Sequence, residues 1–325
     1  MMIWLFRHFG FLEVLARRAS VLSPKIKQFA RKKYKKMLKS EENNAKSASS
    51  VTPEKQKENY RALLQYLDGL GICHGDILIV HTDMEVIKKT GATPKSLIEY
   101  LLQLVGEEGT LVFPSYPITT RPDLFTGNDA EYPLYDPKRT PSWTGIIPNV
   151  FCMYPDVIRS EFPYNSLAAK GPLAKEMMEQ SLQATFPHEQ RSSWGYCIEH
   201  HAKILFLGAE MIRSNTLNHA TEDYMGEEWP IADWYDTQTY RVKTANGIVE
   251  KEVHVFSGRW MTYCRPNRLV YLMCKKQLAR ENRAGGVYVG YIPDSKKYLD
   301  EQIRMVKKGW IRYLIPKKYY KKRKK

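Results

Sequence analysis

The chain of 325 residues is 43% hydrophobic, 12% aromatic and 26% charged, which excludes disorder throughout and allows one large core or two modest ones. Its five cysteines, at positions 73, 152, 197, 264 and 274, are odd in number and hold no C-x-x-C pair. Neither a disulfide framework nor a zinc ribbon is indicated, and a reducing, cytoplasmic setting is expected. The formal charge of +15 sits at the two ends: residues 1–60 carry +9 and 301–325 carry +10, while 61–300 carry −4. A mildly acidic body suits a neutral or cationic small substrate, and no nucleic-acid partner is expected.

No run reaches the roughly 18 apolar residues of a membrane span. Residues 2–20 interleave Ile3, Trp4, Leu5, Phe6, Phe9, Phe11, Leu12, Val14 and Leu15 with Arg7, His8, Glu13, Arg17 and Arg18, and Arg31 to Lys39 form a dense basic run. Two readings stand side by side. One is an interfacial helix plus a polybasic segment meeting an anionic membrane at its inner face. The other is a helix docked on the protein's own core with a solvated charge run behind it. Residues 40–55 read as a polar linker.

From residue 56 the pattern is that of an α/β domain. The spacing of Leu63, Leu64, Tyr66 and Leu67 predicts a helix over 57–70, and Lys95 to Val105 is another amphipathic helix. Short apolar runs at Asp76–His81, Gly109–Ser115 and Ile204–Gly208 predict buried strands. Thr237 to Phe256 alternates around Asn246-Gly247, a hairpin signal. The expected fold is a layered α/β/α domain with a mixed sheet and a small β-hairpin excursion. The expected division is an amphipathic basic arm and linker over 1–55, the folded domain over 56–314 and a basic tail over 315–325.

The stretch Ser214 to Asp223 follows a predicted strand, where α/β folds often place sites. Asn215 or Thr216 can cap a helix start, and the three-residue spacing of His219 and Glu222 puts both on one helix face. A histidine oriented by a carboxylate is a candidate general base. As a bare pattern, H-x-x-E is equally a surface or structural pair.

Residues 205–222, LFLGAEMIRSNTLNHATE, nevertheless belong to an ordered series. It also includes 70–83, LGICHGDILIVHTD; 108–115, EGTLVFPS; 134–145, LYDPKRTPSWTG; 159–171, RSEFPYNSLAAKG; and 192–195, SSWG. Together these resemble the aminoglycoside N(3)-acetyltransferases, or antibiotic N-acetyltransferases, over about residues 58–260. The resemblance implies transfer of an acetyl group from acetyl-CoA to an amine of an aminoglycoside or related amino sugar by direct attack. His219 would be the base and Glu222 its orienting partner. It also places His81, Thr82, Ser115, Thr140, Ser142, Asn215 and Thr216 as pocket residues, with Thr216, Asn215 or backbone N–H groups as candidate oxyanion donors. A loop-satisfying role stands equally open for the hydroxyls.

Two departures bear on the acceptor. Phe162-Pro163 stands where the family has H-P, and Thr82-Asp83 stands where it has S-S. If Phe162 faces the acceptor, a less polar sugar, such as a deoxy amino sugar, is favoured over a polycationic antibiotic. The competing readings are an amino-sugar acetyltransferase of surface polysaccharide synthesis and a non-catalytic membrane-surface binding protein on the same scaffold. His200-His201 have no metal-ligand spacing around them, and no metal is expected. The acids Glu222, Asp223, Glu227, Glu228, Asp233 and Asp236 read as an acceptor pocket or as a solvated face.

Overall fold

The structure, a computed structural model, describes residues 2–22, 51–121 and 134–321. The basic run Arg31 to Lys39, linker residues 40–50 and tail residues 322–325 lie outside the described residues.

The chain opens with helices α1 (Met2–His8) and α2 (Gly10–Leu22). Helix α3 (Pro53–Asp68) starts where Thr52 caps it, accepting from the Lys55 N–H, with Pro53 in the first turn. The chain then lays down strands β1 (Ile77–Thr82), β2 (Thr110–Pro114), β3 (Leu134–Tyr135), β4 (Ile158–Arg159), β5 (Leu167–Lys170), β6 (Lys203–Leu207), β7 (Tyr235–Thr244), β8 (Gly247–Phe256), β9 (Arg280–Ala284) and β10 (Val287–Ile292). Seven form one sheet in the order β4-β5-β2-β1-β6-β10-β9. Strand β1 is parallel to β2 and β6, whereas β5 and β10 run antiparallel to β2 and β6. The sheet is therefore mixed. Its three parallel strands are the three apolar runs expected from the sequence, because only strands covered on both faces need to be apolar throughout.

Helices cover both faces. Alternate residues Leu78, Val80, Leu111, Phe113, Leu205 and Leu207 pack against α3, α4 (Met84–Thr90), α5 (Pro94–Val105) and α6 (Ile146–Phe151). Ile77, Ile79, Val112, Ile204 and Phe206 pack the other way, against α7 (Ala174–Gln180), α8 (Ser193–Glu199), α9 (Met211–Ser214), α10 (Ala220–Met225), α11 (Pro266–Lys275) and α12 (Ser295–Lys307). The period of two in the strands thus assigns each side chain to a layer. The hairpin is β7–β8, closed by Ala245 and Asn246 between the paired Thr244 and Gly247, and β3 extends it to three strands.

Both ends of the described chain rest on this body. Helix α1 packs on α11, so residues 2–22 take the docked arrangement. Residues Ile311, Tyr313 and Ile315 are buried with Trp229, Trp234 and Trp260 in a separate aromatic cluster. Beyond them, Tyr320 bridges Ile231 and the Lys321 N–H donates to the Pro230 carbonyl. No helix among the described residues is long and apolar enough to cross a membrane.

Candidate active site

The segment after β6 brings His219 to the cavities beside the sheet. Strand β6 ends at Leu207, α9 follows, a 3₁₀ turn spans Thr216–His219, and α10 begins at Ala220. His219 sits where two cavities meet. A cleft of about 320 Å³ is lined by His81, Thr82, Tyr116, Trp143, Thr144, Arg213, Thr216 and His219 among others. A smaller recess of about 60 Å³ is lined by Tyr164, Asn165, His188, His219, Glu222, Asp223, Trp234 and Phe256. His81 and Thr82 reach the cleft from the end of β1, and Tyr116 from just beyond β2.

The expected contact of His219 with Glu222 is mediated. Arg312 Nη2 donates to His219 Nδ1 at 2.8 Å and to Glu222 Oε1 at 3.1 Å, and it also donates to the Tyr313 hydroxyl. A guanidinium has donors only, so Nδ1 must accept and the neutral imidazole carries its proton on Nε2. Burial, Arg312 and His188 together hold the His219 pKa well below its ordinary value. Burial pushes the Glu222 carboxyl up to about 7 against the opposing pull of Arg312, and Glu222 Oε2 has no hydrogen-bond partner. Arg312 gains from Glu222 what it loses to burial, and its pKa is raised.

A second imidazole lies beside the first. His188 stacks on His219 with ring centroids 6.1 Å apart. Asp223 Oδ2 accepts from the His188 backbone N–H at 3.0 Å and lies 2.9 Å from His188 Nδ1, while the Tyr235 hydroxyl donates to Asp223 Oδ1 at 2.8 Å. Asn165 Nδ2 stands 3.1 Å from His188 Nε2. Nothing in the sequence around Pro187-His188-Glu189 distinguishes this histidine, and Arg312 is 90 residues from the carboxylate that it meets.

The remaining sequence-derived residues separate into two groups. His81, Thr82 and Thr216 line the cleft with His219, and Thr216 bonds the Tyr116 hydroxyl. His81 is buried and stacked on Phe206 at 4.7 Å; its Nε2 has no partner, and burial lowers its pKa to about 3. The others do not line either cavity and are engaged elsewhere. Ser115 Oγ faces Cys152 Sγ at 3.3 Å, the Thr140 hydroxyl accepts from the Asp136 N–H, and the Ser142 hydroxyl bonds that of Thr144. Arg159 ties two of these motifs together by donating to the carbonyls of Ser115 and Thr140. Asn215 is buried, with its Nδ2 on Tyr298 and Asn218.

Phe162 does not line either cavity. Its ring is 3% exposed and packs with Tyr135, Tyr240, Val242, Val253 and Val255. The expectation that it discriminates acceptors by direct contact is therefore corrected: the apolar face of the small sheet selects an apolar ring there. Of the acidic run, Glu222 and Asp223 line the recess, whereas Glu227 and Glu228 line a separate groove with Lys307 and Lys308. Among the described residues, no three His, Cys, Asp or Glu side chains are grouped to hold a metal ion.

The cleft has apolar walls, aromatic rings, hydroxyls and an arginine. An aminoglycoside N(3)-acetyltransferase of Micromonospora chalcea is 33% identical over 164 residues, covering 47% of this chain and 58% of that protein. One from Streptomyces fradiae is 29% identical over 168 residues, covering 49% and 58%. The match thus spans less than two thirds of these relatives' length. Among solved structures, an aminoglycoside acetyltransferase in complex with a gentamicin superposes with a TM-score of 0.62 at 22% identity, covering 81% of this chain and 92% of that one. The acetyltransferase AAC-IIIb, solved as a binary complex with CoASH, gives 0.63 at 19% identity, covering 77% and 97%. The family model described as aminoglycoside 3-N-acetyltransferase matches residues 79–295, which hold every residue of the cleft and recess named above, and the chain belongs to that family.

Proposed function

We propose that the protein transfers an acetyl group from acetyl-CoA to an amine of an aminoglycoside or a related amino sugar. The observation that carries this reading is the position of His219, at the junction of a long cleft with a recess bearing two carboxylates. Acetyl-CoA supplies an acyl group already activated as a thioester. His81, Thr82, Tyr116 and Thr216 are the residues that would hold it, with Arg213 at the rim as a cation for its phosphates. The recess takes the amine, and Glu222 and Asp223 favour a cationic acceptor there.

An amine attacks only when neutral, and an alkylamine has a pKa near 10, so a base is needed at pH 7. His219 is assigned that task. Its depressed pKa keeps it neutral and ready to accept. Acceptance on Nε2 requires the ring proton on Nδ1, and in that form Glu222, whose Oε2 is unpartnered, replaces Arg312 as the ring's partner. Attack of the neutral amine on the thioester expels the CoA thiolate in the same reaction, so the assigned route needs no acyl-enzyme.

A second assignment of the base has its own observation. Asp223 engages His188 Nδ1 and so leaves Nε2 as the basic nitrogen, the tautomer that His219 lacks at rest. The test is thiol release from acetyl-CoA against a panel of aminoglycosides and nucleotide-linked amino sugars. With a turned-over acceptor, His219→Gln should lower kcat by about 10²–10⁴ and His188→Gln by less than about tenfold. The reverse order assigns the base to His188. Absence of thiol release with every amine refutes acetyl transfer.

A further inference from the structure

The two N-terminal helices dock through a mixture of small, polar and apolar groups and leave six large apolar side chains outside. Among residues 10–19 of α2 the buried ones are Gly10, Glu13 and Val14. Glu13 is 2% exposed and accepts from Asn267 Nδ2 at 2.8 Å and from the Asn267 N–H, while Arg7 of α1 pairs with Glu281 at 2.6 Å. Gly10 lies against Arg265 and Arg268, where an added Cβ would stand 2.9 Å from Arg265 Cδ. With these contacts made, the apolar side chains turn out. Met2, Ile3, Trp4, Phe9, Phe11 and Leu15 are between 46% and 59% exposed. Trp4, Phe9 and Phe11 adjoin one another, with ring centroids 6.3 and 6.4 Å apart, so the exposed rings form one continuous strip.

Cations flank this strip. Arg18 of α2 stacks on Tyr263, whose carbonyl accepts from the Leu314 N–H, and Tyr319 packs on Trp260. These contacts carry the surface from α2 across exposed Met261 and Leu314 to exposed Lys317, Lys318 and Lys321. The N-terminal helices and the C-terminal segment of the described chain therefore meet at one region of the body.

We propose that this aromatic strip and its cationic margin form a docking surface for an anionic lipid membrane, on which the protein rests without spanning. A second copy fits poorly, because an isologous contact would oppose two cationic margins. A lipid surface accepts the rings at the headgroup level and supplies the counter-charge. The aromatic strip and the three lysines lie outside the segment shared with the acetyltransferase family, and the proposal is independent of the reaction proposed above.

The test uses the full chain and vesicles of phosphatidylcholine with and without phosphatidylglycerol. Wild type should co-sediment with the phosphatidylglycerol vesicles, less so as salt rises. The triple variant Trp4→Ser, Phe9→Ser, Phe11→Ser should lose at least about tenfold in partitioning. Because Trp4→Phe keeps an aromatic ring, quenching of tryptophan fluorescence by brominated lipid should be seen in wild type and fall in Trp4→Phe. Absence of co-sedimentation overturns the proposal. So does equal binding by the triple variant, quenching unchanged in Trp4→Phe, or a wild-type dimer that the triple variant converts to monomer.

Discussion

Arg312 decides the protonation of the residue that the sequence singled out. It meets His219 as a donor, fixes the imidazole's proton on Nε2 and depresses its basicity, all from a segment beyond the family match. Because Arg312 lowers the His219 pKa, Arg312→Gln should raise it and move the acid limb of kcat/KM to higher pH, read from a pH–rate profile on a true acceptor. The same variant leaves Glu222 buried without its cation. Denaturant unfolding should show a loss of about 3–5 kcal/mol, part of which Arg312→Lys restores. H-x-x-E could be read directly because four adjacent residues carry it. Arg312 could not, because only the folded packing of Ile311 and Tyr313 delivers it.

Among the elements, helix α8 shows why a four-letter motif is spelled as it is. Ser192 caps it by accepting from the Gly195 N–H at 3.0 Å, and Trp194 Nε1 donates to the Asn165 carbonyl at 2.9 Å. A Cβ on Gly195 would stand 2.2 Å from the Glu189 carbonyl oxygen and 2.4 Å from that of Gln190. Both are backbone and cannot swing aside. Gly195→Ala should therefore destabilise the fold by about 1–3 kcal/mol in denaturant unfolding. It should also lower kcat, since residues 189–190 adjoin His188. The apolar runs of β1, β2 and β6 were legible because each is covered on both faces. Strand β9, Arg280–Ala284, was not: it is a polar edge strand, mostly exposed, and lacks the pattern by which buried strands are found.

For the whole molecule, the imidazoles of His81 and His219 set a pH limit on stability. His81 and His219 both have folded pKa values below the unfolded 6.5, about 3 in the case of His81. Above 6.5 neither state binds the proton, so their contribution is constant. As pH falls below 6.5 the unfolded chain is protonated first, and stability is lost by about 1.4 kcal/mol per pH unit for each imidazole until its folded pKa is reached. Unfolding midpoints measured between pH 7 and 4 should fall accordingly, and His81→Gln should flatten the slope. The layered fold and the charge division between ends and body were legible over the whole sequence. The docking of α2 through Gly10, Glu13 and Val14 was not, since an amphipathic pattern names two faces without saying which residues the body will take.

The route of the chain through the site has a consequence for the order in which it can be assembled. His188, His219, Glu222 and Asp223 all precede Arg312 in synthesis, which runs from the N-terminus. Until residues 311–315 emerge, the Glu222 carboxyl lacks the guanidinium that opposes its burial. A nascent chain that has closed its sheet therefore holds an incomplete centre, and completion of the candidate site is postponed until residues 311–315 join the aromatic cluster.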